Sequence, residues 1–275
     1  MKALSTLLIA ASILSAPNLA TAIVSDQANA ENDPRKLQAH VARKMNAQAF
    51  PYWMHVGRID RSTGVYLGNG YVLTAAHVGA GNFDLSDGTS YSVVPNSARI
   101  LENRDGSQAD FCLFRVKFNA KDSIAKLPPI QLATIAPTVG ANVLLIGNGM
   151  GGSDSKANGA FPWKDNHQVR WGVNQIEEIY SQPMPTHDFL SYGYATRFEK
   201  GGIECQATPG DSGGACFRYN EGASRWELAG IIVAVDSEHG LAEYGNQTYI
   251  ADPVLFKGEL AAAFQTAGRS LVAAR

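Results

Sequence analysis

Three short segments hold the residues whose types and spacing suit covalent chemistry: TAAHV around His77, ADFCLFRV with Asp110, and PGDSGGA around Ser212. A serine hydroxyl becomes a useful nucleophile only when a base takes its proton, and histidine is the base suited to neutral pH. A carboxylate must then fix the tautomer of that histidine, and backbone N–H groups must receive the oxyanion of an attacked carbonyl. His77, Asp110 and Ser212 supply the three side chains of such an acyl transfer. Ser212 lies between Gly210-Asp211 and Gly213-Gly214, where glycines let the backbone turn tightly and bring its N–H groups near a substrate. Asp105 lies in the same region as Asp110. Asp110 is preferred because the apolar run FCLF follows it directly, whereas Asp105-Gly106 reads as a turn.

These groups need a scaffold that brings distant segments together, and the rest of the chain reads as one. Of 275 residues, 45% are hydrophobic and 17% charged, so the chain can bury a core. Its 27 glycines and 12 prolines punctuate short apolar runs, which argues against a helical bundle and for a turn-rich β protein. Strand-like pieces follow from Pro51 onward: YWMHVGRI, GVYLGNGYVLTAA, ADFCLFRVKF, ANVLLIG, HQVRWGVNQIEEI, FLSYGYATRF, WELAGIIVAV and NQTYIAD. Their spacing reads as barrel or sandwich, closed by a helical candidate from Pro253 to Phe264. His77 ends one strand-like run and Asp110 begins another, so a barrel can bring both to one cleft.

The first 22 residues read as a signal peptide: Lys2 supplies a positive start, Leu4 to Leu14 is apolar, and Ala20-Thr21-Ala22 matches a small-x-small cleavage pattern. That apolar stretch is too short to cross a bilayer, which needs about 20 residues. Export, whether to the periplasm or the medium, is the expectation. Residues 23–50 form a distinct polar segment. Leu37, Val41 and Met45 recur there at helical spacing, which leaves a short helix, a pro-segment or a linker open. Residues 51–275 form the main domain. In an oxidising compartment Cys205 and Cys216 are the nearest pair for a disulfide and Cys112 is left over, although three buried thiols are the alternative.

TAAH and GDSGG, in the order His, Asp, Ser, resemble the signatures of the trypsin/chymotrypsin family of serine peptidases. LAGIIVAV at 228–235 resembles the strand beside that family's specificity pocket, and TYIADPVLF resembles the lead into its C-terminal helix. RWGVN at 170–174 and EYGNQTY at 243–249 look like a bacterial branch. The resemblance covers roughly residues 51–265. It implies an all-β, chymotrypsin-like fold of two antiparallel six-stranded β-barrels with a C-terminal helix. It also implies a serine endopeptidase acting on protein or peptide as a monomer, with no cofactor. By the same resemblance the oxyanion hole falls to the N–H groups of Gly210 and Ser212. The pocket falls to Gln206 at its base, with Val233, Ala234 and Val235 along the wall and backbone edge. Gln206 stands where trypsin-like members carry an aspartate, so the resemblance implies small or medium uncharged side chains before the cut. Asp211 would pair with a freed α-amino group at Ile23, which directly follows the expected cleavage at Ala22. Val78 stands where the family commonly has a cysteine, so no disulfide carries over.

Other motifs are weaker. Gly147-Asn148-Gly149-Met150-Gly151-Gly152 fits GxGxxG after a strand, but SDSKANGAFPW follows with no helical period, so a dinucleotide site is not expected. His40, His55, His167, His187 and His239 show no zinc-binding spacing. Asp84, Asp87, Glu102 and Asp105 read as solvated loop carboxylates rather than calcium ligands. Asn246-Gln247-Thr248 is a glycosylation sequon that in a bacterial chain is only a turn. Lys+Arg 23 against Asp+Glu 25 excludes a protein built to grip nucleic acid phosphates, and no metal or membrane partner is expected. Two rival readings share the scaffold: a non-catalytic binding protein and an esterase using the same triad.

Overall fold

The computed structural model describes residues 23–25, 33–152, 159–200, 204–237 and 239–262. The apolar run expected to direct export lies outside the described residues, as does the end of the expected C-terminal helix. Among the described residues no helix is long and apolar enough to cross a membrane.

The run Val143-Leu144-Leu145-Ile146 shows why apolar strands lack polar alternation here. Side chains alternate across a strand, and both faces of this one are covered. Val143 and Leu145 join one buried cluster, while Leu144 and Ile146 join another. This strand, Asn142–Gly147, belongs to a closed six-stranded antiparallel barrel. Around it run Arg170–Ile179, Gly193–Arg197, Gln247–Ala251, Arg225–Val235 and Ala215–Asn220, the last pairing back onto Asn142–Gly147.

The N-terminal half differs from the second six-stranded barrel expected. It is a seven-stranded antiparallel sheet in the order Ser90–Tyr91, Phe83–Asp84, Val56–Ile59, Ser62–Gly68, Tyr71–Thr74, Gln108–Arg115, Arg99–Glu102. Just past the edge strand Ser90–Tyr91 the chain meets the end of the inner strand Gln108–Arg115 at one bridge, Val93 with Val116. The edge strand Ser90–Tyr91 has two residues, too few to complete a ladder.

One core joins the halves. Phe50 meets Phe217 and Trp226 at ring-centroid distances of 4.9 and 5.2 Å, and Tyr52 stacks on Phe217. The periodicity at Leu37 and Val41 resolves as a helix, Pro34–Lys44, with Pro34 in its first turn and Asp33 accepting from the Arg35 N–H at 2.8 Å. Leu37 and Val41 are fully buried in the shared core. From the helix, Gln38 exchanges two 2.7 Å hydrogen bonds with Phe50, and the Trp226 indole donates to the Gln48 carbonyl. The C-terminal helical candidate begins as a 3₁₀ turn, Pro253–Phe256, capped by Asp252, and continues as helix over residues 257–262.

The suggested Cys205–Cys216 bridge is not formed, and Cys112 is likewise a free, buried thiol. Cys205 and Cys216 pack as small apolar groups in one cluster, where the Tyr194 hydroxyl faces the Cys216 sulfur at 3.8 Å. Burial pushes the Cys216 thiol up to about 12 and the Cys112 thiol up to about 11, so neither is a ready thiolate.

Candidate active site

His77 follows strand Tyr71–Thr74 on a tight turn in which the Val78 and Gly79 N–H groups both donate to the Ala75 carbonyl. Asp110 sits in the paired strand Gln108–Arg115, which lies beside Tyr71–Thr74 in register. Its fully buried carboxylate grips the histidine twice: Oδ1 accepts from the His77 backbone N–H at 3.0 Å and Oδ2 pairs with Nδ1 at 2.8 Å. That second contact assigns the proton to Nδ1 and leaves Nε2 as the basic nitrogen. Asp105 instead accepts from the Ser107 N–H and hydroxyl in an exposed turn, so the choice between the two aspartates falls to Asp110.

The Ser212 segment docks on the same sheet. The Thr63 N–H donates to the Ser212 carbonyl at 3.0 Å, and Thr74, three residues before His77, donates its hydroxyl to the Thr63 carbonyl at 2.7 Å. Gly213, at φ +83°, lies so close to Thr63 and Thr74 that a Cβ there would overlap both.

Carbonyl anchoring leaves two donors open. The Pro209 carbonyl accepts from the Met150 N–H at 2.8 Å, and the Gly210 carbonyl accepts from the Thr63 hydroxyl at 2.8 Å. The Gly214 N–H donates to the Asp211 carbonyl. With Gly210 at φ +94°, the N–H groups of Gly210 and Ser212 have no hydrogen-bond partner among the described residues. Two unengaged backbone donors on either side of Asp211 are groups of the kind an oxyanion needs.

Asp211 is fully buried. Its carboxylate accepts from the Thr208 N–H at 2.8 Å, the Thr208 hydroxyl at 3.1 Å and the Gly149 N–H at 2.7 Å. The Ile23 N–H donates to it as well, yet burial dominates and pushes its pKa up to about 6. Ile23 is fully buried, and the strand Val24–Ser25 pairs with Cys205–Gln206. The glycine run that fits GxGxxG now has a physical role. A Cβ on Gly147 or Gly149 would collide with the Asp211 carboxylate, so these glycines admit a carboxylate side chain rather than a pyrophosphate.

Of the residues expected to line the substrate pocket, Val233 lies elsewhere. Gln206 is fully buried and its amide is engaged by the main chain: Nε2 donates to the Asp236 carbonyl at 2.9 Å and Oε1 accepts from the Glu243 N–H at 3.2 Å. Val233 packs into the core rather than along a pocket wall, because a register shift between Ile232 and Ala234 turns it inward. Ala234 and Val235 are partly exposed, and Ala234 borders a cavity of about 590 Å³ with residues 178–186 and Tyr249. Beyond Ile232 the strand keeps Gln247–Ala251 on one edge, while its former neighbour Ala215–Asn220 pairs no further than Ile231. That edge, unpaired among the described residues, suits an added strand.

Two residues around the site were not anticipated. Thr63 is fully buried and its hydroxyl both donates to Gly210 and accepts from the Asn148 N–H at 2.8 Å. His187 forms the turn of a hairpin, Met184–Thr186 with Phe189–Ser191, and its ring stacks on the His77 ring at 3.9 Å and 18°. The hairpin is held against the site by the Asp110 N–H donating to the Ser191 hydroxyl and the Asn103 amide donating to the Leu190 carbonyl. Neither residue carries a local sequence signal, because both act across more than 70 positions. His77, Asp110 and His187 are also the group of metal-ligand type found among the described residues. Of the carboxylates weighed for calcium, Asp84 pairs with Arg58 and Asp87 accepts from the Thr89 N–H.

A family model described as a trypsin-like peptidase domain matches residues 62–231. No curated protein sequence matches the chain. Among solved structures, one similar chain is neuropsin, a serine protease expressed in the limbic system of mouse brain. It is 18% identical, with 78% of this chain and 96% of that one covered and a TM-score of 0.53. Another is the inactive form of a serine-to-alanine mutant of Rv3671c from M. tuberculosis H37Rv. It is 17% identical, with coverages of 89% and 96% and a TM-score of 0.50. At these identities the likeness is one of fold.

Proposed function

The chain belongs to the family of trypsin-like peptidase domains, and from that premise we propose that it is an exported serine endopeptidase. Ser212 attacks the scissile carbonyl of a protein or peptide. His77 takes the hydroxyl proton through Nε2 and returns it to the leaving amine, while Asp110 orients His77 and stabilises its charged form. The Gly210 and Ser212 N–H groups receive the oxyanion, and water releases the acyl group by the same route. The observation that carries this reading is the double hold of buried Asp110 on both the backbone and the ring of His77. The free edge beyond Ile232 favours an extended peptide over a simple ester, since main-chain pairing there aligns a chain for the cut.

Asp211 supports a further part of the reading. Signal removal after Ala22 creates an α-amino group at Ile23, whose nitrogen already faces the Asp211 carboxylate. Helix Pro34–Lys44 stays in the mature protein, because cutting near Arg43-Lys44 would strip buried Leu37 and Val41 from the shared core. Digestion of casein by the exported protein tests the peptidase reading. Fragments should appear with wild type and vanish with Ser212→Ala. Ester hydrolysis without casein cleavage would favour an esterase, and neither activity would favour a binding protein.

A further inference from the structure

The stacked histidines invite a question that acyl transfer does not answer. His187 is an exposed turn residue, yet its backbone holds φ +54° and its ring lies flat against His77. A non-glycine residue in that region carries strain. Ligand atoms from His77, Asp110 and His187 all lie within 4.8 Å of one another.

We propose that His77 and His187 form a two-imidazole site for a borderline divalent cation, zinc foremost, which silences the enzyme reversibly. This rests on His77 being the general base. The chemistry follows from the Asp110 contact. A metal-binding histidine commonly donates its second ring N–H to a carboxylate, which fixes the tautomer and strengthens the ligand, and Asp110 already does this at His77 Nδ1. Nε2 then offers its lone pair, and His187 supplies a second neutral imidazole from an exposed hairpin tip. Imidazole ligands suit zinc, nickel and copper over calcium or magnesium. Zinc–nitrogen bonds of about 2.0–2.1 Å set tetrahedral ligands roughly 3.4 Å apart. In nearly parallel rings whose centroids lie 3.9 Å apart the in-plane lone pairs do not converge, so binding needs the His187 ring to turn out of the stack, and its exposed position leaves space on the solvent side for that. Waters complete the coordination. No bond is broken and no electron is transferred: the cation takes the lone pair that would otherwise accept the Ser212 proton.

The test uses full-length mature Ser212→Ala protein, titrated with zinc chloride in a calorimeter. One ion per chain should bind. Adding His187→Asn, a residue tolerant of the turn's positive φ, should weaken binding by more than the roughly 10–100-fold that loss of a supporting group costs. Adding His77→Ala should do the same. No binding at millimolar zinc, or binding indifferent to His187, overturns the site. With active enzyme, zinc should inhibit, a chelator should restore activity, and His187→Asn should raise the inhibition constant by the same factor. Zinc binding in Ser212→Ala without any peptidase activity in the wild type would sink the functional reading while leaving the site standing.

Discussion

Blocking the Ile23 amine perturbs the structure at one point whose energy is calculable. In a chain extended by one alanine before Ile23, Asp211 keeps only neutral donors from Thr208, Gly149 and the Ile23 amide. Its pKa is then about 6 against an ordinary 3.8. Because the folded value is raised, the protonated form is the one the fold favours. Stability is full below about pH 4 and falls as pH rises through 6. The difference of about two units is about 3 kcal/mol at 1.36 kcal/mol per unit. A free α-amino cation at Ile23 offsets that loss, up to the range near 8 where an unperturbed amine itself deprotonates. Arg170, buried nearby and interacting with Asp211, stays charged from pH 4 to 8 in both forms, since burial lowers it only to about 10. It cancels in the comparison. Thermal melts of Ser212→Ala carrying Ile23 or Ala-Ile23 as terminus read the effect directly. The two should coincide at pH 4 and separate by roughly 6–12 °C at pH 7, using about 2–4 °C per kcal/mol for a chain of this size. Parallel curves from pH 4 to 8 would refute the pairing of Ile23 with Asp211.

Other outcomes follow from single contacts. Thr63→Val removes the donor to the Gly210 carbonyl and strands the Asn148 N–H. It should lower kcat by about 5–150-fold, matching about 1–3 kcal/mol for an unmade buried hydrogen bond, with KM nearly unchanged and Thr63→Ser restoring most of the rate. Leu37→Ala should cost about 2–5 kcal/mol, read as a lower denaturation midpoint; an unaltered midpoint would make residues 33–45 dispensable. A peptide-library profile should show small or medium uncharged residues before the cut, because the Gln206 amide is already engaged by main-chain groups. A profile dominated by Arg and Lys would contradict it.

Much of the candidate site was legible because its parts are local in sequence. TAAH and GDSGG mark His77 and Ser212, and the apolar run after Asp110 separates it from the Asp105 turn. The helix of residues 34–44 was legible from Leu37 and Val41, though its burial was not, since the covering groups Phe50 and Trp226 come from elsewhere. What could not be read depends on contacts between distant segments. The N-terminal sheet has seven uneven strands rather than six, one edge strand being only two residues long and its continuation meeting the inner strand Gln108–Arg115 just past its end, at the Val93–Val116 bridge. Gly147 and Gly149 looked like a loop, and their reason is a carboxylate about 62 positions away. Spacing paired Cys205 with Cys216, whereas packing uses them as buried apolar groups. His187 shows its role only when its hairpin docks against the strand of Asp110.

The central claim is that Ser212 is a nucleophile activated by His77, and covalent labelling tests it most directly. A fluorophosphonate probe reacts with an activated serine and forms a stable adduct in the oxyanion site. Intact mass followed by peptide mapping should find one adduct per mature chain, located on Ser212. Labelling should be lost in Ser212→Ala and slowed by several orders of magnitude in His77→Ala, because the triad acts as a unit. A folded, mature wild-type chain that stays unlabelled, or one labelled at another residue, would contradict the account.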